Sequence, residues 1–549
     1  MIKDITDARR IKEQLEAVRA PFFKSCKTIA KYTMPYLGNW GTSKQDGDLI
    51  DHKTLLDSDV ENDINDLAAG MQNGLTSPSK RWFELTVDYP RFWIPAAVKQ
   101  WLEDTCTLIE LIMQKSNLYR VLHALYIETA IFGTGCFFIK EDAEKIIDCE
   151  FLTFGDYYLG LGKNGKVQIF ARDIVKTVLE LVEEFGLENL PETVKAAYNG
   201  KLYTQEFTIT HLVCPNENYI PGSKISKHFE YASFYFMDGK EEFVSVGGYD
   251  YWPVISPRWF TKNKSMTYGK GPGWFALGDL KQIQRMERKK MSSTGKKEDP
   301  PLLVSSSVTG PIDVSEGAVN VVNGQVEGAV RTMYQVDIDN EKLTRDQAVK
   351  KESVRKKFFA DVFHLFTPEN VGKMLAYEIN RREVERLSKI GPILNVLNDE
   401  ALIPIIETIF YLLNKHNIVD PAPQELQGRN LNINFVSIVA MAQKASSLNT
   451  YEDAVRRLFE LAQARPEVLD NIDADKYARL IGEKIGAGLI FKDEEVVSQE
   501  REQRAQAAQM QQQAANAQAL LQGAKTASEI PLGNDSALDT VLENTGMAA

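Results

Sequence analysis

YGKGPGWFALGDLKQIQRMERKKMSSTGKKED, residues 268–299, opens on a Gly/Pro turn and continues as a polar helix over about Trp274–Ser293. Within it, RMERKKMSSTGKK (Arg285–Lys297) carries six basic residues and one acid in a chain of formal net charge −12. The stretch after it, PPLLVSSSVTGPIDVSEGAVNVVNGQVEGAV (Pro300–Val330), has no Lys or Arg and is rich in Val, Ser, Gly and Pro, a composition for short strands and turns. A second polar helix, Asn340–Phe366, follows and includes RDQAVKKESVRKKFFADVFHLF. Two polar helices around a β-forming insert describe a helical stalk with a β tip, and this decides the fold.

Upstream of the stalk, residues 4–34 carry Ile11, Leu15, Val18 and Phe22/Phe23 at helical spacing, and Asp51–Leu75 continues as an amphipathic helix. The turn TSPSK leads into RWFELTV, an alternating strand, and Ala96–Phe132 reads as two helices parted near Ser116-Asn117. From Gly133 the period changes. GCFFIKE, KIIDCEFLT, DYYLGLG and KVQIFARD predict one β-meander, interrupted by a helical insert, IVKTVLELVEEFG (Ile174–Gly186), and continued by FTITHLVCP, EYASFYFM and EFVSVGGY up to WPVISPRW. Residues 77–259 are thus expected to form one α+β body. Downstream, FTPENVGK reads as a loop, Met374–Lys389 and Ala401–Leu413 as helices, and YEDAVRRLFELAQ and ADKYARLIGEKIG as two more. REQRAQAAQMQQQAANAQALLQGAK is almost pure helix former, but its apolar positions are mostly alanine, so it gains most from close neighbours. The last residues, from ASEIPLGNDS onward, predict a flexible tail.

Length and charge bound the function. A chain of 549 residues exceeds what one core usually organises, and its 44% apolar content is that of a globular protein. An acidic balance argues against a protein that coats nucleic acid, because nonspecific affinity comes from cations displacing phosphate counterions, yet it allows a protein that lets DNA pass. The most apolar stretch, ALIPIIETIFYLL, is broken by Pro404 and Glu407 and falls short of the roughly 20 apolar residues a bilayer span needs, so no membrane insertion is expected. The opening residues lack an apolar signal core, and five cysteines (Cys26, Cys106, Cys136, Cys149, Cys214) form no paired framework, which predicts a reducing, cytosolic setting.

The chain offers little for catalysis. In GLGKNGKV, Gly160, Gly165 and Lys166 fit the start of a phosphate loop, but Val167 stands where a Mg²⁺-binding hydroxyl belongs, and VQIFARD predicts a strand where a helix must follow. A hairpin turn at Lys163–Lys166 explains the same glycines. The alternative it leaves is a packaging ATPase using Gly160–Lys166. Six dispersed histidines (His52, His123, His211, His228, His364, His416) lack ligand spacing, no nucleophile motif is present, and no metal, cofactor or catalytic residue is expected. The basic positions Lys281, Arg285 and Arg288, and in the second helix Lys350, Lys351, Arg355, Lys356 and Lys357 beside Glu352 and Asp346, fit either ion-paired solvated faces or a belt of charge repeated around a symmetric assembly.

The order of these pieces resembles the portal, or head-to-tail connector, family of T7-like short-tailed bacteriophages. The resemblance rests on GLTSPSKRWFEL (Gly74–Leu85), SNLYRVLHALYIETAIFGTGCFFI (Ser116–Ile139), GGYDYWPVISPRWF with YGKGPGWFALGDLKQI, and MLAYEINRREVERL (Met374–Leu387), with Leu375 where the family commonly has Thr. It covers about residues 5–500. It implies a portal fold assembled as a dodecameric ring around a DNA channel: wing 1–270, first stem helix 271–296, clip 297–339, second stem helix 340–366, tunnel loop and return to the wing 367–425, crown or barrel helices 426–525 and a flexible tail 526–549. It further implies a virion protein at the capsid vertex, assembled in the host cytoplasm. Its partners would be the terminase large subunit, a tail adaptor, major capsid and scaffolding proteins, and double-stranded DNA passing without sequence readout. Such proteins hydrolyse nothing. Another virion adaptor or scaffold is the remaining alternative. On the portal reading, Lys281, Arg285, Arg288, Lys289 and Lys290 are expected on the stem near the clip, some facing the channel and others pairing with acids of a neighbour. Thr367, Asn370 and Lys373 are expected in the tunnel loop.

Overall fold

A computed structural model describes residues 4–38, 55–87, 95–298, 302–305, 311–313, 330–332, 340–360, 391–426, 428–436, 455–460, 475–478 and 494–528, with a few isolated positions such as Ile2 and Trp40. The chain falls into two units, residues 1–446 and 447–549.

The first unit opens with α1 (Ile5–Tyr32), whose N-cap Asp4 accepts from the Asp7 amide at 2.9 Å, satisfying one of the orphan donors of the first turn. Helix α2 spans Asp59–Leu75. It starts eight residues after the expected Asp51: residues 55–58 are not helical, and the backbone amides of Leu56 and Asp57 donate to the side chain of Gln284 instead. Strand β1 (Phe83–Val87) is followed by α3 (Ala96–Lys115) and α4 (Leu118–Phe132), which part at Ser116-Asn117 as the sequence indicates.

The β region comprises β2 (Cys136–Asp142), β3 (Ile146–Leu152), β4 (Tyr157–Leu161) and β5 (Val167–Thr177), then α5 (Val178–Phe185), α6 (Glu192–Asn199), β6 (Glu206–Pro215), β7 (Tyr231–Met237), β8 (Ser245–Tyr249) and β9 (Val254–Ile255). The expected single meander is instead two antiparallel sheets, ordered β3-β2-β9 and β4-β5-β6-β7-β8. The break lies at Thr153–Asp156. There Gly155 packs on the Trp40 ring and the Arg19 guanidinium gathers the carbonyls of Gly155 at 2.6 Å and Tyr157 at 2.9 Å, turning the chain out of the first sheet. The insert also begins later than its periodicity suggests. Ile174–Thr177 stay in β5, paired with Glu206–Ile209, because Thr177 caps α5 through a reciprocal box with Glu180.

Beyond these strands come α7 (Pro272–Glu298), β10 (Leu302–Val304), β11 (Val330–Thr332) and α8 (Asn340–Lys357). β10 and β11 pair antiparallel, closing the described part of the insert between the two long helices. α8 is shorter than the expected Asn340–Phe366: it breaks at Phe358-Phe359, where Phe359 takes φ +55. The expected helix Met374–Lys389 and loop FTPENVGK lie outside the described residues. A π-helical turn, Asn398–Leu402, leads into α9 (Ile403–Lys415), and β12 (Leu431–Phe435) pairs antiparallel with β1 some 350 residues earlier, Phe83 opposite Phe435.

One large core joins α2, α3, α4, the β2-β3-β9 sheet, α9 and the base of the α7/α8 pair, including Ile64, Leu122, Phe138, Leu280, Val354 and Ile409. A small separate core, Val178, Leu181, Leu190 and Val194 among others, sits under α5 and α6. In the second unit the described structure is chiefly α10 (Glu494–Ser528), exposed throughout residues 501–519.

Candidate nucleic-acid interface on the stalk helices

The stalk is anchored where two glycine motifs meet. α4 ends at Gly133, in left-handed conformation at φ +87, and a Cβ there would lie 2.3 Å from the Gly271 amide nitrogen. A Cβ on Gly271 would in turn come within 2.5 Å of the Thr129 carbonyl oxygen. The glycines of FGTG (Phe132–Gly135) and YGKGPG (Tyr268–Gly273) therefore let two backbones touch. Hydrogen bonds from the Gly269 amide to Thr134 Oγ1 (2.7 Å), the Trp259 amide to the Gly133 carbonyl (2.9 Å) and Trp274 Nε1 to the Phe132 carbonyl (2.7 Å) fix the exit angle of α7.

From that anchor α7 and α8 run antiparallel, and polar groups make most of their seam. Asp279 accepts from Lys350 (3.2 Å), Ser353 (2.9 Å) and Lys357 (2.5 Å); Gln347 donates to Glu287 (2.9 Å); Ser293 donates to Asn340 (3.0 Å). These donors, Lys357 first, hold the Asp279 carboxyl down to about 2. α2 closes the other side of α8: Lys351 pairs with Asp57 and, at 2.6 Å, with Asp59, and Arg355 pairs with Asp63 at 3.5 Å. Buried Gln284 adds a bond to the Asp57 carbonyl at 2.6 Å. The basic run of α8 is thus spent on ion pairs within the chain, Lys356 included through Glu352.

The basic run of α7 gathers largely on one face of its helix. At about 100° per residue, Lys281, Arg285, Arg288, Lys289, Ser292 and Lys296 fall within an arc of about 100°, while Asp279 and Ile283 fall toward α8. The same six residues, with Tyr32, Gln284 and Ser293, line a groove of about 840 Å³ whose described lining includes no acid. Lys281 Nζ lies 5.7 Å from the Tyr32 ring. Four of the five expected stem cations therefore share one face. Lys290 does not line the groove; it lies on the opposite side of the helix, and its carbonyl accepts from Ser293. Thr367, Asn370 and Lys373 lie outside the described residues.

The family model for the bacteriophage head to tail connecting protein matches residues 6–489. The chain belongs to this family. It is 33% identical over 524 residues to a probable portal protein of Bordetella phage BPP-1, covering 94% of this chain and 93% of that one. It is 32% identical over 489 residues to the portal protein of Salmonella phage epsilon15, covering 87% of each.

As a head-to-tail connecting protein the chain offers no phosphate loop at GLGKNGK. β4 and β5 form a hairpin there, closed by the Gly162 amide on the Lys166 carbonyl (2.8 Å), with Gly165 left-handed at φ +77. A strand follows where phosphate binding requires a helix N-terminus. Among the described residues there is no His/Cys/Asp/Glu group suited to a metal ion, and no helix is long and apolar enough to cross a membrane. The residues that sequence reasoning missed are the acids: Asp57, Asp59, Asp63 and Asp279. LLDSDVEND (Leu55–Asp63) carries the spacing of a helix start, but nothing in it says that its acids face a helix about 290 residues away.

Proposed function

We propose that this chain is the portal subunit of a tailed phage, closing with identical copies into a ring, twelve in number, at the vertex that joins head to tail. The connector-family match across residues 6–489 carries this reading. Exposed Phe275, Met291 and Val349 on α7 and α8 support it, since each is more than half exposed in a single copy and a neighbouring subunit would cover them. In this reading α7 and α8 form the stem, residues 297–339 the clip, and the helices of 426–525 a crown in which alanine-rich α10 packs against its own copies.

The groove of Lys281, Arg285, Arg288 and Lys289 is proposed to face passing double-stranded DNA, with symmetry presenting each cation once per subunit. Contacts to phosphate alone guide without reading sequence, and few per subunit keep the duplex mobile in an otherwise acidic body. The proposal includes docking of the terminase large subunit during packaging and of a tail adaptor afterwards, amid major capsid and scaffolding proteins, in particles assembled in the host cytoplasm. It gives the chain no hydrolytic step.

Electron microscopy of the purified chain tests the ring directly: annular particles with an axial hole are expected, and monomers or filaments overturn the reading. Replacing Lys281, Arg285, Arg288 and Lys289 together with Gln is expected to leave rings intact and to lower DNA packaging. The salt dependence of DNA binding should flatten by about 0.9 in log–log slope for each phosphate contact removed. Unchanged packaging and slope would remove the groove from the channel.

A further inference from the structure

The five-stranded sheet carries opposite charge at its two ends. β5 runs from Val167, just past the Lys163–Lys166 turn, to Thr177, which caps α5, a span of about 35 Å. Phe170 pairs with Val213 and Pro215 with Tyr231, so the β6–β7 connection, residues 216–230, lies at the turn end. Thr177 opposite Glu206 and Ile209 opposite Met237 place residues 178–205 and the β7–β8 turn at the other end.

The turn end is basic. Residues 260–266 pack on the turn: a Cβ on Gly165 would lie 3.1 Å from the Lys264 carbonyl oxygen. Buried Arg258 ties the two loops, donating to the carbonyls of Gly165 (3.0 Å) and Met266 (2.9 Å), while Glu400 takes its Nε. Residues 162–166, 216–230 and 260–266 together hold Lys163, Lys166, Lys224, Lys227, Lys262 and Lys264 against Glu217 and Glu230. All six lysines are exposed, and none forms an ion pair among the described residues; Glu407 of α9 feels the Lys166 charge without pairing with it. Phe260, Ile220 and Ile225 stand among them about half exposed. The 216–230 connection is closed by polar bonds instead of by burying its isoleucines: Asn216 Nδ2 donates to the carbonyls of Lys227 (2.9 Å) and Phe229 (2.7 Å), and the Ile220 amide to His228 (3.0 Å).

The opposite end is acidic. Residues 178–205 and 238–244 hold eight acids against three lysines. The cations there are largely engaged: Lys195 pairs with Glu192 and the strand residue Lys176 with Glu184, while Lys240 and, from α1, Arg9 donate to backbone carbonyls. Glu183, Glu188, Asp238, Glu241 and Glu242 are exposed and form no ion pair among the described residues. Beside them Leu179, Leu202 and Tyr203 are about half exposed, and the Leu179 amide donates to the Tyr203 carbonyl at 3.3 Å, which makes the patch continuous.

The length of the sheet keeps these two ends apart within one copy. Pairing like ends of two copies would set lysines against lysines or acids against acids, whereas unlike ends attract. Contact between two different surfaces of identical subunits is heterologous, and it closes into a ring when the rotation allows.

We propose that the lysine end of this sheet docks on the acid end of the next identical copy. Phe260, Ile220 and Ile225 then meet Leu179, Leu202 and Tyr203 inside a rim of lysine–carboxylate pairs. The apolar side chains supply attraction and the charges set orientation. This rests on the ring reading above and names surfaces that close the ring.

Sedimentation velocity of the full-length protein tests it with two variants. Lys163→Glu, Lys166→Glu, Lys262→Glu and Lys264→Glu together make both ends acidic; Glu183→Lys, Glu188→Lys, Glu241→Lys and Glu242→Lys together make both basic. Alone, each variant is expected to need at least about 10-fold more protein than the wild type to assemble, because like charges then face each other. Mixed in equal amounts, the two should assemble near the wild-type concentration in particles holding them one to one, since an even-numbered ring admits strict alternation. Such rescue also shows that both variants fold. Wild-type rings together with variants that assemble equally well alone, or with a mixture that stays dissociated, overturn this interface and leave the ring reading standing. A wild type that stays monomeric overturns the ring reading and this interface with it.

Discussion

Replacing Asp279 with Asn removes the charge on which three donors of α8 converge, and the structure sets the size of the effect. A carboxyl lowered from 3.8 to about 2 corresponds to about 2.5 kcal/mol at full value. Lys350 and Lys357 remain about a third exposed, so solvent screening reduces this to about 1–2 kcal/mol. Because the folded pKa is depressed, the stabilisation is complete at neutral pH and is lost as pH falls through about 2; at pH 2.5 about a third of it remains. Amide hydrogen exchange over residues 340–357 reads the local opening of α8. At pH 7 the Asn variant should exchange about 5- to 30-fold faster than the wild type there. The ratio should shrink several-fold on acidification to pH 2.5, with β5–β7 amides unaffected throughout. Equal exchange at pH 7, or a ratio that does not narrow in acid, would refute the claim that this carboxylate holds the two helices together.

Glu128 behaves in the opposite sense. It is 1% exposed, neither carboxyl oxygen has an aligned hydrogen-bond partner, and burial followed by the charge of Asp156 pushes its pKa well above 4.5. A raised folded pKa means stability is greatest below about pH 4.5 and declines as pH rises through the interval between the unfolded and folded values. Denaturant titrations at pH 5, 6 and 7 should show Glu128→Gln gaining on the wild type as pH rises, and parallel stabilities would contradict it. Gly133→Ala should cost about 2–4 kcal/mol, combining left-handed strain with the clash on the Gly271 amide, whereas Gly278→Ala, inside α7 with open space at the Cβ, should not destabilise and gains up to about 1 kcal/mol of helix propensity; thermal midpoints of the two variants compare them.

Elements with strong local signals were legible. The Ser116-Asn117 break between α3 and α4, the β4–β5 hairpin and the polar helix pair each follow from residues within a few positions of one another. What the sequence concealed is set by contacts at long range. RWFELTV reads as a strand, but its partner Leu431–Phe435 lies at the far side of the unit, and no local pattern names it. The division of the β region into two sheets depends on Arg19, in α1, gathering carbonyls of a turn more than 130 residues later. Ile174–Thr177 have the apolar spacing of a helix start, yet ladder pairing to β6 keeps them extended until Thr177 can cap. The candidate site divided in the same way. The facing of Lys281, Arg285, Arg288 and Lys289 is visible from helical geometry, but apart from the local Lys356–Glu352 pair the neutralisation of the α8 cations is not, because their acids come from α2, from Asp57 just before it and from the first turns of α7.

This sorting of charge supplements the short apolar contact at the base of the helix pair, where Leu280, Ile283 and Val354 are buried, with ion pairs and polar bonds along the rest of it. Apolar surface on two long projecting helices is limited, and Phe275, Met291 and Val349 point outward, where only another molecule can bury them. Spending apolar residues on the seam would leave less for a neighbour; acids at Asp57, Asp59, Asp63 and Asp279 fix the pairing with groups of little use elsewhere. Each partly exposed pair contributes about 0.2–1 kcal/mol, so the seam sets register firmly through its number of contacts while remaining weak for its length. An isolated copy should therefore open α8 before its sheets, and association with a neighbour should slow that opening more than any single seam contact does.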